Sequence, residues 1–376
     1  MTVSHRRAYI DWARGIAVLL MIEAHTTDAW TRVADKRSFG YGVAAILGGF
    51  AAPLFLWLAG LGLTLAAART HERTHSRRQA VEAACRRGLE IFVLAFLFRL
   101  QAFVLSPGGS PIKLFRVDIL NVMGPAMVGA GVLWMAADRA KARAAVYVVV
   151  ATAIAMVTPI SRTTGVIDWL PVWVQWYLRP AGEYTTFTLL PWAGFVFAGA
   201  AVGVVLAEVR GEAAERRVHG ALTAAGVLLI AGGFVAAAQP SIYRSASFWT
   251  SSPTWFAIRV GILMIALMLC FVTERVSHEI TKARSPTSLF RVFVFSWQSP
   301  LAKMGRASLF IYWIHVELVY GYASWLWRGR LPLWGAVVGF MTFSVVMYGA
   351  IGLRDRIVAR VRTPTGRSFW RPAPGR

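Results

Sequence analysis

Apolar runs of about twenty residues recur from one end of the chain to the other, divided by short polar connections. Ten such runs can be read: Tyr9–Asp28, Val43–Ala68, Gly88–Leu105, Val117–Ala137, Ala142–Ile160, Phe187–Ala207, Gly220–Ala238, Trp255–Thr273, Ala307–Trp327 and Leu333–Leu353. The pattern predicts an all-α, polytopic integral membrane protein with about ten transmembrane helices. No connection is long enough for a soluble domain of about 50 residues or more. Residues 1–355 therefore read as one transmembrane domain, and 356–376 as a basic cytoplasmic tail.

Composition agrees: 57% of the 376 residues are hydrophobic, above the rough half found in soluble domains. The net charge of +22 raises the question of nucleic acid. Yet Lys and Arg are dispersed over many connections rather than gathered on one module, which argues against that partner. With the N-terminus in the cytoplasm, HRR, RTHERTHSRRQAVEAACRR, DRAKAR, EVRGEAAERRVHG and the Arg-rich tail all fall inside. That asymmetry is the positive-inside rule, so both termini are expected in the cytoplasm, at the inner (plasma) membrane beside anionic lipid. The first run is long and charged and lacks a small-residue cleavage site, as expected of a retained signal anchor. Two cysteines, Cys85 expected in a cytoplasmic loop and Cys270 in a span, make no disulfide framework.

Two connections stand out. Trp169, Trp173, Trp176 and Tyr177 recur at helical spacing, which predicts an amphipathic segment at the outer interface. SLFRVFVFSW, residues 288–297, reads as an interfacial helix or a re-entrant piece. In the sixth run, Gly194, Ala198, Gly199, Ala201 and Gly203 predict close helix packing, and such faces also allow a homodimer. No convincing internal repeat of the kind found in many transporters is visible.

The first run, DWARGIAVLLMIEAH, is the chemical anomaly, because each charge near the bilayer centre costs about 2.5–3.5 kcal/mol. Arg14 and His25 lie eleven residues apart, three helical turns, so they share a face with roughly 16 Å of rise between them. Asp11 precedes Arg14 by three and Asp28 follows His25 by three, which extends the stripe at both ends. Glu23 falls roughly opposite. A histidine held by a carboxylate can serve as a general base at neutral pH. A buried histidine satisfied by a backbone carbonyl is the plainer alternative, and three charged neighbours on one face favour the chemical reading. Asp118 and Asn121 open the fourth run at i, i+3, with Arg99 as a plausible ion-pair partner for Asp118. Ser308, Tyr312 and His315 share a face of the ninth, where His315 is a catalytic candidate or a hydrogen-bonding partner for a neighbouring helix. The seven histidines are scattered without ligand spacing, and no P-loop occurs, so no metal is expected.

These residues resemble a known family. YIDWARGIAVLLMIEAHTTDAW resembles the opening of the bacterial branch of the heparan-α-glucosaminide N-acetyltransferase catalytic-domain-like family, with AAPLFLWLAGLGL, RVDILNVMG, LLPWAGFVFAG and GRASLFIYWIHVEL following in family order. The resemblance implies a membrane acyltransferase that takes an acetyl group from acetyl-CoA, as co-substrate, and passes it to a sugar or glycolipid hydroxyl or amine. It implies His25 as catalytic base, Arg14 near the acyl donor, and Asp118, Asn121 and His315 lining a central cavity. The eukaryotic lysosomal enzyme carries a catalytic histidine in the loop before its second span, whereas TRVADKRSFGYG has none. On this reading Asp28 orients His25, and Arg14, Asn121 or protonated His315 stabilises the oxyanion. The competing reading is a transporter or flippase for a small acid or lipid-linked sugar, with the polar stripe as proton relay.

Overall fold

A computed structural model of the protein describes residues 7–105, 110–282 and 299–362. Its architecture is all-helical, with no strands among the described residues. In chain order the helices are α1 (Ala8–Trp30), α2 (Phe39–Gly48), α3 (Ala51–Thr74), α4 (Arg77–Leu105) and α5 (Ile119–Leu133). α6 (Ala140–Thr163), α7 (Val172–Leu178), α8 (Leu189–Ala207), α9 (Glu212–Ala237) and α10 (Pro253–Lys282) follow. The last three are α11 (299–306), α12 (Ser308–Tyr320) and α13 (Leu333–Arg362).

By length and composition, seven helical segments can cross a membrane: Phe39–Thr74, Arg77–Leu105, Ala140–Thr163, Leu189–Ala207, Glu212–Ala237, Pro253–Ser277 and Leu333–Arg360. Three of the ten sequence-predicted spans differ from these. α1 is long enough but carries the charged stripe. α5 is 15 residues and α12 is 13. α12 stops at Tyr320 instead of reaching Trp327, because the chain turns at Gly321 and then pairs its backbone with the end of α1 through Gly329, Leu331 and Arg32. Ala307 alone separates α12 from α11. Together they make a broken rod of roughly 22 residues and ~33 Å, enough for a bilayer core of about 30 Å.

The basic connection expected at 69–87 is mostly helix. α3 ends at Thr74, His75 caps it in the left-handed region (φ 51°), and α4 begins at Arg77. Pairs at i, i+4 such as Arg78–Glu82 and Arg86–Glu90 let the helix run on in polar surroundings. Cys85 thus sits half-buried on α4, not in a loop, and Cys270 is buried in α10. α13 likewise runs past Leu353 into the expected tail. The segment 288–297 lies outside the described residues. The predicted amphipathic segment exists in two short pieces, a turn at Gly165–Trp169 and α7. There Trp169 and Trp173 are exposed, while Trp176 is buried and stacks on Tyr184.

α8 forms the buried axis, flanked by α3, α5 and α6. Its small residues act as predicted: a Cβ added to Gly199 would lie 1.8 Å from the Trp57 carbonyl oxygen, so α3 and α8 touch backbone to backbone. The same device places α1 against α11. A Cβ at Gly15 would meet the Leu301 carbonyl oxygen at 2.2 Å, and one at Gly305 the Asp11 carbonyl oxygen at 2.0 Å. Glu274 of α10 accepts the Ala8 and Tyr9 amides, satisfying donors that the start of α1 would otherwise leave orphaned. Arg7, Tyr9 and Arg275 converge on Glu215 of α9 beside it. α1 is thereby fixed at its start by α9 and α10 and along its length by α11 and α12.

Candidate active site

A cavity of about 1230 Å³ runs between α1, α3, α4, α5 and α12. Arg14, Thr70, Arg87, Gly305 and Arg306 line one end; His25, Asp28, Arg99, Arg116, Asp118, Thr186 and Tyr320 line the other. Between them the wall is mostly small or apolar: Ala24, Gly48, Ala52, Ala59, Gly62 and Ala66 among others. The helical arithmetic for α1 was right, since Arg14, Met21, His25 and Asp28 all reach this space. The guanidinium of Arg14 passes over Gly62, where a Cβ would lie 2.6 Å from it.

Each predicted site residue has a definite place. Asp11 is buried outside the cavity and accepts from Arg14 at 3.5 Å. Arg99 donates to Asp118 at 2.5 Å, as expected, and both line the wall. Ser308 and Tyr312 line it too. Asn121 does not. Its side-chain oxygen accepts the Asp118 backbone N–H at 3.0 Å, while Asp118 accepts the Ile119 N–H at 2.8 Å, so the i, i+3 pair is a reciprocal helix cap. Asn121 is buried, and its amide is turned towards Tyr177, so it lines no cavity and offers no oxyanion donor. Glu23 does face away from the cavity, against Gly48 of α2, and accepts from Thr27 at 3.2 Å.

The main correction concerns what holds His25. Asp28 is engaged elsewhere, accepting from Lys36 at 3.2 Å and from the Tyr320 hydroxyl at 3.0 Å. Instead His25 Nδ1 lies 2.7 Å from His315 Nε2, with the two rings nearly parallel, 14° apart. His315 is fully buried, and its Nδ1 lies 2.9 Å from both the Ile311 and Tyr312 carbonyl oxygens.

The network fixes the protons of the uncharged pair. Carbonyl oxygens only accept, so His315 Nδ1 must carry a hydrogen, leaving a lone pair on its Nε2. His25 Nδ1–H then donates to that lone pair. His25 Nε2 is consequently left bare, on the ring of the pair that reaches the cavity. For His315 the plainer sequence alternative, a hydrogen bond to a neighbouring helix, is what the structure shows, and through it His25 is oriented.

Residues 6–234 match the family described as heparan-alpha-glucosaminide N-acetyltransferase, catalytic. The chain belongs to that family. No curated protein matches the chain. The family is of the membrane acyltransferase type, and its matched region supplies Arg14, His25, Asp28, Arg99 and Asp118. Gly305, Arg306, Tyr312 and Tyr320 come from beyond residue 234, so α11 and α12 complete a cavity whose other walls belong to the matched segment.

Sequence reasoning missed Tyr320, whose ring packs edge-on against His25 with centroids 5.6 Å apart while its hydroxyl anchors Asp28. No helical spacing pointed to it, because it ends α12 five residues beyond His315. Glu317, also on the wall, carried a usable signal: it is an ionisable residue within an apolar run. Arg87 and Arg306 were read only as topology charges, yet both face the cavity. Among the described residues no cluster of metal ligands is found.

Proposed function

We propose that this protein transfers an acetyl group from cytoplasmic acetyl-CoA to a hydroxyl or amine of a sugar or glycolipid within the membrane. The observation that carries the reading is the 2.7 Å contact of His25 Nδ1, on the cavity wall, with the buried His315, from which a bare His25 Nε2 follows. Taking the N-terminus as cytoplasmic, the end lined by Arg14, Arg87 and Arg306 opens inwards, where guanidinium groups suit the phosphates of CoA. The end lined by Asp28, Arg116 and Thr186 opens outwards and receives the acceptor.

In this reaction the acceptor O–H or N–H gives its proton to His25 Nε2 as its heavy atom attacks the thioester carbonyl. The tetrahedral intermediate collapses with loss of the CoA thiolate, which takes that proton back. His315 never meets substrate. It is a positioning residue that keeps the imidazole in the useful tautomer, as the carboxylate does in hydrolytic triads. His315 is therefore not the oxyanion donor, and Arg14, ~16 Å of helix away from His25, suits the donor's phosphates instead.

The test is to incubate membranes containing the protein with acetyl-labelled acetyl-CoA and follow the label. Label passing into a carbohydrate or glycolipid fraction, dependent on this chain, is the expected result. Label that stays on CoA while vesicles accumulate a small acid without any thioester present would favour the transporter instead.

A further inference from the structure

The sequence leaves four arginines inside predicted spans: Arg14, Arg99, Arg143 and Arg259. Arg14 and Arg99 have acid partners, Asp11 and Asp118, and Arg143 donates to the Ala137 and Asp138 backbone carbonyls. Arg259 has none. It lies in the second turn of α10, its guanidinium 4.9 Å from the Trp255 ring centroid and 5.8 Å from that of Trp192. Its Nε is sealed from solvent with no acceptor, and no hydrogen bond or ion pair reaches it among the described residues. A charged fork bracketed by two indoles, in a segment apolar enough to cross the membrane, lacks the anion that such groups ordinarily face.

The position says which anion fits. Arg259 is six residues from the start of α10, about 9 Å along the helix. The aromatic residues Phe248, Trp249 and Trp255 gather at that same end, where indoles mark a headgroup boundary. Trp249 is exposed and Trp255 buried, so the group grades from the bilayer surface to the bundle interior. Among the described residues Arg162, at the end of α6, has Thr250 as its partner, through contacts of 3.4 and 3.3 Å, so a second arginine without a described carboxylate stands at this end. Guanidinium groups match phosphate oxygens in a two-pronged geometry, and a carbonyl or hydroxyl would leave the charge uncompensated.

We infer that Arg259, between Trp192 and Trp255, binds the phosphate of a membrane lipid at the end of the bundle where His25 lies. Trp192 is also part of the cavity wall, so the lipid site and the cavity share one side chain. The site stands on its own chemistry and does not require the acyl-transfer reading.

The experiment is native mass spectrometry of the full chain, released from detergent containing equal amounts of phosphatidylglycerol and diacylglycerol. One phosphatidylglycerol retained in preference to diacylglycerol is expected, with occupancy falling at least five-fold in Arg259→Gln and less in Arg259→Lys. Arg216→Gln, an exposed arginine on α9, should leave it unchanged. Equal retention of the two lipids by the parent chain overturns the proposal without needing any variant to fold. Undiminished phospholipid occupancy in a folded Arg259→Gln protein overturns it as well. Displacement of the lipid by inorganic phosphate, itself then retained, would name free phosphate as the occupant and overturn the lipid assignment.

Discussion

Two fully buried histidines occupy opposite ends of this bundle, and only one is joined to a hydrogen-bond network. His219 of α9 is stacked on Phe271 at 4.2 Å and meets Tyr9 edge-on at 5.1 Å. Neither of its ring nitrogens has a hydrogen-bond partner among the described residues, and it does not line the cavity that His25 reaches. His315 is equally buried, but its ring joins a backbone carbonyl on one side to His25 on the other. Burial alone therefore says nothing about function. What separates the two is a continuous chain of donors and acceptors that ends on the cavity wall.

The comparison can be broken in order of expected effect. Replacing His25 by Ala removes the base and should lower acetyl transfer about 1000-fold, within the range general-base catalysis supplies. The KM for acetyl-CoA should stay near its parent value, because the arginines at the far end are untouched. His315→Ala should cost about 100-fold, again in kcat rather than KM, since it frees the His25 ring without removing it. A fall in kcat matched by an equal loss of folded protein would assign His315 a merely structural role.

Gly305→Ala reaches the same pair indirectly. The added methyl would sit 2.0 Å from the Asp11 carbonyl oxygen, so α11 and α12 must move off α1. Overpacking of this kind costs about 1–3 kcal/mol, read as a lower midpoint of thermal unfolding, and activity should fall with it because His315 shifts. His219→Leu makes the contrast. It removes two unsatisfied polar atoms from an apolar site, so stability should hold or rise by about 1 kcal/mol while transfer stays within two-fold.

The smallest effect concerns Asp35, in the connection after α1. Its carboxyl is held below the usual carboxylate range, chiefly by the Leu333 backbone N–H at 2.9 Å and also by Arg32. A depressed folded value means that the contribution is present above the ordinary pKa of about 4 and is lost as pH falls through the folded one. Thermal unfolding followed from neutral to strongly acid pH should show a small acid-induced loss that Asp35→Asn abolishes.

Much of this was legible in the sequence because helix geometry is local. The three-turn spacing placed Arg14 and His25 on one wall, and the small residues of α8 announced a tight helix contact. The Arg99–Asp118 pair was readable as two complementary charges that only each other could satisfy. What could not be read was which helices touch. His25 and His315 are 290 residues apart, and the nearer carboxylate of Asp28 was the obvious but wrong partner. Helix ends were also beyond periodicity. Asn121 became a cap instead of a cavity residue because Asp118 leaves the helix there, and α12 stopped early because backbone pairing with Ala29, Trp30 and Arg32 competed for the chain.

Nitrogen NMR of the protein labelled at histidine tests the central assignment most directly. At neutral pH the account predicts that both His25 and His315 carry their hydrogen on Nδ1, with the His25 signals identified by their absence from His25→Ala. It further predicts that His315→Ala releases His25 into a mixture of tautomers. A His25 ring protonated at Nε2 in the parent protein, or one whose tautomer is indifferent to the loss of His315, would contradict it.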